Sequence, residues 1–155
     1  MIQPDHPARP AMDPTTASPC TCFRLRRASR QLSQMYDSHL APVGLSLNAY
    51  SILRRAPRPR QLGELADALG MDRTTLTRNL KPLLLAGWLQ EQRGHDARQR
   101  LIAITPAGKA VLRRARPLWQ RAQAHVERAF GTLPTTHLNT LLDQLDHALA
   151  PGAPA

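Results

Sequence analysis

The chain has few of the residues that staple, span or catalyse. Only two cysteines occur, Cys20 and Cys22. They are too few and too close together to cross-link a small fold, so a disulfide framework is excluded and reduced thiols in a cytosol are expected. No stretch approaches the ~18 consecutive apolar residues of a membrane span, and Met1 to Pro19 hold no apolar block like that of a secretory signal. A cytoplasmic protein without a membrane partner is the expectation. There is no glycine-rich phosphate loop, no acyl-transfer elbow and no pair of acids at a useful helical spacing, which argues against an enzyme. The six histidines, at 6, 39, 95, 125, 137 and 147, show no ligand spacing with the cysteines or with one another. Neither a metal nor another cofactor is therefore expected, and each histidine reads as a surface polar residue.

Acidic residues are also scarce, at 11 against 21 basic ones, for a formal charge of +10. All but Lys81 and Lys109 of the basic residues are arginine. This balance favours a polyanionic partner, but an arginine-rich composition spread over solvated faces would look the same, so position must decide. The length of 155 residues suits one domain, which at this size buries about 70% of its unfolded surface. Residues 1–19 carry Pro4, Pro7, Pro10, Pro14 and Pro19 among small and polar residues, and read as a disordered arm. Residues 150–155 read as a flexible tail, leaving 20–149 as the domain.

Within it, Phe23, Leu25, Ala28, Leu32, Met35, Tyr36 and Leu40 recur three and four apart and predict a long amphipathic helix, ended by Pro42 and Gly44. Ser46 is placed to cap a second helix to about Arg55, and the Pro-Arg segment 56–60 then interrupts regular structure. The stripe Leu62, Leu65, Ala66, Leu69 predicts a short helix stopped by Gly70. Asp72 caps the next, over 73–86, with leucines 76, 80, 83 and 84 on one face and a bend expected at Pro82. Residues 88–92 and 99–105 predict a β-hairpin with a charged tip. Thr105 and Pro106 open a helix to about Phe130, and a last one runs from about Thr135 to Leu149. The fold class is thus mainly α with a small β-hairpin wing, the winged form of the helix-turn-helix, over 45–105.

A helix pair joined by a tight glycine turn can lay its second helix in the major groove, about 12 Å wide. The outward residues must then be donors and small hydroxyls, as Arg73, Thr74, Thr75, Thr77 and Arg78 are; Lys81, a turn further on, suits a phosphate. At the hairpin, Arg93, Arg98 and Arg100 would reach a minor groove or the backbone, with Asp96 orienting Arg98 through a bidentate pair. The bland alternative is an ordinary two-helix hairpin with a solvated polar face, against which the wing weighs.

Taken together, Leu65-Ala66-x-x-Leu69-Gly70, Asp72-Arg-Thr-Thr-Leu-Thr-Arg78, Ala86-Gly87, Asp96-x-Arg98 and Ile104-Thr-x-x-Gly108 resemble the MarR family of regulators, over about Cys20 to Leu149. The resemblance implies a homodimer, with 20–44 and 106–149 as dimerisation helices in a triangular molecule. Its two recognition helices would stand about one DNA turn, roughly 34 Å, apart on a pseudo-palindrome of double-stranded DNA. It further implies a repressor released by a small aromatic or anionic effector or by cysteine oxidation. Arg26, Arg27 and Arg30 on the first helix are candidate anchors for a carboxylate-bearing ligand.

Cys22-Phe23 with Tyr36 resembles the peroxide-sensing branch of the family, so Cys20, Cys22 and Tyr36 are the candidate redox residues. Leu47 and Arg26 stand where that branch carries further tyrosines, and thiols without a sensing role are the alternative. Cysteines two apart on a helix point to different faces and do not easily bridge each other. The remaining rival is a dimeric protein-interaction module that keeps the fold without binding DNA.

Overall fold

A computed structural model describes residues 20–94 and 99–150. The expected N-terminal arm, the wing tip 95–98 and the tail beyond Ala150 lie outside the described residues. The chain divides into two compact units, 1–33 and 34–155. The described part of the first is the start of helix α1 (Thr21–Leu40), exposed except for half-buried Leu25 and Ser33.

The second unit contains the end of α1, a 3-10 turn at Ala41–Val43, α2 (Leu47–Arg55), β1 (Arg60–Gln61), α3 (Leu62–Leu69), α4 (Arg73–Leu85), β2 (Leu89–Arg93), β3 (Arg100–Ile104), α5 (Pro106–Phe130) and α6 (Thr132–Ala148). Local chemistry sets the helix ends. Ser46 Oγ accepts from the Ala49 N–H at 3.1 Å, and Asp37 Oδ1 accepts from the Leu47 N–H at 2.6 Å. These occupy donors that the first turn of α2 leaves unpaired. Gly70 takes the left-handed conformation, φ 60°, that closes α3 and turns the chain into α4. Thr105 Oγ1 caps α5 at Gly108 N–H, 3.0 Å, and itself donates to the Gly87 carbonyl at 2.6 Å. Gly108 tolerates no side chain, since a Cβ would stand 2.1 Å from the Trp88 carbonyl oxygen.

The expected hairpin forms between β2 and β3, and a third strand extends it into an antiparallel sheet in the order β1-β3-β2. Arg60 pairs with Ile102 and Gln61 with Leu101, inside and just beyond the Pro-Arg segment read as an interruption. A two-residue strand has no alternation to read; it forms because the second edge of β3 would otherwise leave backbone groups unpaired. The last helix begins at Thr132, three residues before Thr135. Pro134 lies in its first turn, where a missing N–H removes no intrahelical bond. Helix α4 continues through Pro82, which is exposed, to Leu85.

The core joins α2, α3, α4, the sheet and the start of α5 through Ile52, Leu53, Leu65, Leu76, Leu80, Leu83, Ile102 and Val111. Each fully buried leucine contributes about 1.5–3 kcal/mol by leaving water. That packing holds α4 against the sheet and fixes which of its faces stays outside.

Candidate nucleic-acid interface

Helix α4 separates its side chains cleanly. Leu76, Leu80 and Leu83 are buried, while Arg73, Thr74, Thr77, Arg78 and Lys81 are exposed. Asp72 Oδ1 accepts the Thr75 N–H at 2.8 Å and Oδ2 accepts the Thr75 hydroxyl at 2.6 Å. These two bonds, the hydroxyl's foremost, hold the Asp72 carboxyl below its ordinary value. They also turn half-buried Thr75 toward the cap, so its hydroxyl is committed within the helix terminus. The Thr77 hydroxyl donates back to the Arg73 carbonyl at 2.7 Å.

The exposed row and the sheet border one concavity of about 760 Å³, where Arg73, Thr74, Thr77, Arg78 and Lys81 meet Arg100. Arg100 stands directly opposite Arg93 across the β2–β3 ladder. Like charges in that position repel, which an adjoining polyanion would relieve. Arg100 is also 3.5 Å from Glu91, and both are exposed enough for water to weaken the pair. Six expected contact residues are therefore brought together with Arg93 beside them, Thr75 is held back by the cap, and Asp96 and Arg98 lie outside the described residues.

Cys20 and Cys22 are exposed, as are Arg26, Arg27 and Arg30 on α1. Tyr36 is buried and its hydroxyl donates to Gln123 Oε1 at 2.6 Å; burial first, and the Glu127 carboxylate second, raise its pKa. His39 Nε2 and His125 Nδ1 lie 3.4 Å apart with their rings edge to face. Among the described residues no cluster of three histidine, cysteine or acidic side chains is arranged to hold a metal.

Sequence reasoning missed a second cavity, of about 530 Å³, between α2 and α5. Its aromatic wall is Tyr50 stacked on Trp119, ring centroids 5.9 Å apart, with the Arg54 guanidinium 5.5 Å from the Trp119 centroid. Lys109, Arg113 and Arg116 line it from α5. The signal was present, since 109, 113 and 116 fall on one helical face and 50 and 54 on another.

A helix-turn-helix backed by a three-stranded wing, with a basic and hydroxyl-bearing outer row, defines a winged-helix regulator. The chain is 39% identical to the transcriptional regulator MosR of M. tuberculosis, solved in complex with DNA, over 84% of this chain and 98% of that one, with a TM-score of 0.73. It also has the fold of MarR from E. coli, with 20% identity over 83% of this chain and 98% of that one and a TM-score of 0.66. An uncharacterised HTH-type transcriptional regulator of Bacillus subtilis is 29% identical over 84 residues, which span 53% of this chain and 61% of that relative. No family model matches. The chain belongs to the MarR family of transcriptional regulators. Its relatives are transcriptional regulators, and among the described residues no helix is long and apolar enough to cross a membrane.

Proposed function

We propose that the protein is a homodimeric repressor that binds a pseudo-palindromic operator in double-stranded DNA and leaves it when a small anionic aromatic molecule binds. One observation carries this reading: the exposed row Arg73, Thr74, Thr77, Arg78 and Lys81 on a helix fixed by an Asp72 cap and by three buried leucines. Arginine then suits guanine edges or phosphates, threonine a thymine methyl or a phosphate, and Arg93 and Arg100 the backbone beside them. The DNA-bound state of MosR supports it. Such a regulator works where the DNA is, in the cytoplasm.

The dimer is supported by α6, whose Leu133, Leu138, Leu141 and Leu142 are exposed in the single chain. A contiguous apolar stripe of this kind marks a protein interface. In this reading 20–44 and 106–149 form the dimerisation region and 45–105 the DNA-binding lobe. Release by a ligand is supported by the α2–α5 cavity, which adjoins the lobe through Leu53 and Ile104. Exposure of Cys20 and Cys22 favours a second reading, release by thiol oxidation.

Fluorescence anisotropy of the protein against its upstream intergenic duplex and a scrambled one, at two salt concentrations and with or without hydroperoxide, tests both readings. Preference for the native duplex, weakening steeply with salt, is expected. Equal and salt-insensitive binding to both duplexes would favour an interaction module, and peroxide-driven release would favour the thiols.

A further inference from the structure

The cavity between α2 and α5 is more cationic than an aromatic monocarboxylate needs. Arg54, Lys109, Arg113 and Arg116 all line it and all are exposed, and none of its lining residues is acidic. Among the described residues none of these four takes part in an ion pair. The nearest acid along α5 is Glu127, more than two turns beyond Arg116. Lys109, Arg113 and Arg116 also occupy the N-terminal half of α5, the positive end of the helix dipole, where cations are disfavoured. Spacings of four and three residues set them side by side, so they repel one another as well. Both unfavourable terms diminish when an anion enters. Beside the charges, Tyr50 and Trp119 present stacked rings, with the Arg54 guanidinium over Trp119, and Leu53, Ile104 and Leu112 add apolar lining.

We propose that this cavity selects a phosphate-class anion joined to a flat aromatic group over an aromatic monocarboxylate. The inference rests on the ligand-release reading for its biological role but concerns only what the site binds. A carboxylate has one charge and two oxygens, enough for a single bidentate arginine. A phosphate monoester presents three oxygens and close to two charges at neutral pH and above, and so engages cations from both helices at once. The aromatic group lies along Trp119 and Tyr50, and the volume of about 530 Å³ falls within the range of small-molecule sites.

Isothermal titration calorimetry of the full chain with phenyl phosphate, benzoate and inorganic phosphate, at a pH where phenyl phosphate is dianionic, tests this. Phenyl phosphate is expected to bind about tenfold or more tightly than either of the others. The Arg113→Gln/Arg116→Gln double variant, checked for an unchanged thermal melt, is expected to lose that preference. Benzoate binding as tightly, a preference that survives the double substitution, or no heat from any probe up to about 10 mM would overturn the proposal. DNA release is read separately by anisotropy. If phenyl phosphate binds with the expected preference yet leaves the DNA complex intact, the charge selection stands and the release reading falls.

Discussion

Helices α4 and α6 both carry leucine at helical spacing, and they meet opposite fates. In α4, Leu76, Leu80 and Leu83 are 0–3% exposed, packed against α2, α3 and the sheet. In α6, Leu138, Leu141 and Leu142 are 37–48% exposed and Leu133 82%, and the buried residue is Thr135. The difference teaches that an apolar stripe announces that a helix will be covered without saying by what. For α4 the cover is the same chain. For α6 the homodimer proposal assigns it to a second copy.

The sharpest way to break the comparison is Leu141→Glu/Leu142→Glu. If α6 closes against its symmetry mate, each uncompensated buried charge costs about 3–5 kcal/mol. Size-exclusion chromatography with light scattering should then report monomers that keep their helical circular dichroism, and operator binding should fail with the dimer. A variant that stays dimeric would place the interface elsewhere. On the other side, Leu76→Ala should cost about 2–5 kcal/mol of stability, because the core around α4 cannot fully close over the cavity left behind. Urea denaturation measures this directly, and the loss should appear as a lower midpoint.

Smaller effects belong to the outer face of α4. Arg78→Ala should weaken operator binding by about 1–3 kcal/mol if it reads a base, with little change in thermal stability, since the side chain is exposed. Comparing native and scrambled duplexes by anisotropy separates base reading, which loses specificity, from phosphate contact, which weakens both alike.

The smallest expected effect is at the helix cap. Thr75 donates to the Asp72 carboxylate and holds its pKa below the ordinary 3.8, so the native state favours the ionised form. That stability is present above the ordinary value and is lost as pH falls through 3.8 toward the lower folded value. Asparagine caps about as well as aspartate but does not titrate. Asp72→Asn should therefore melt close to wild type at neutral pH and fall less steeply with acid, as read by calorimetric scans over the acidic range.

Sequence reading was sound where the interaction is local. Ser46, Asp72 and Thr105 each accept from the N–H three residues ahead, so cap and helix start lie within one turn of one another. Gly70 and the alternating faces of α4 are of the same kind, which is why the exposed row 73, 74, 77, 78 and 81 was legible before any fold was known. Thr75 shows the limit even there. Its spacing placed it among outward residues, but the nearby Asp72 carboxylate competes for its hydroxyl.

Sequence by itself thus determined the helices, the capped starts of α2, α4 and α5, the glycine stop of α3, the polar row of α4 and the excess of positive charge, because each follows from composition or from hydrogen bonds or periodicity within a few residues. Tertiary structure alone decided the rest. Strand β1 exists only because β3, some forty residues away, offers an edge. The stack of Tyr50 on Trp119 and the cationic cavity beside it exist only because α2 lies against α5. These contacts close loops of forty to seventy residues. Their stability comes from burial and pairing between distant segments, which no local pattern records.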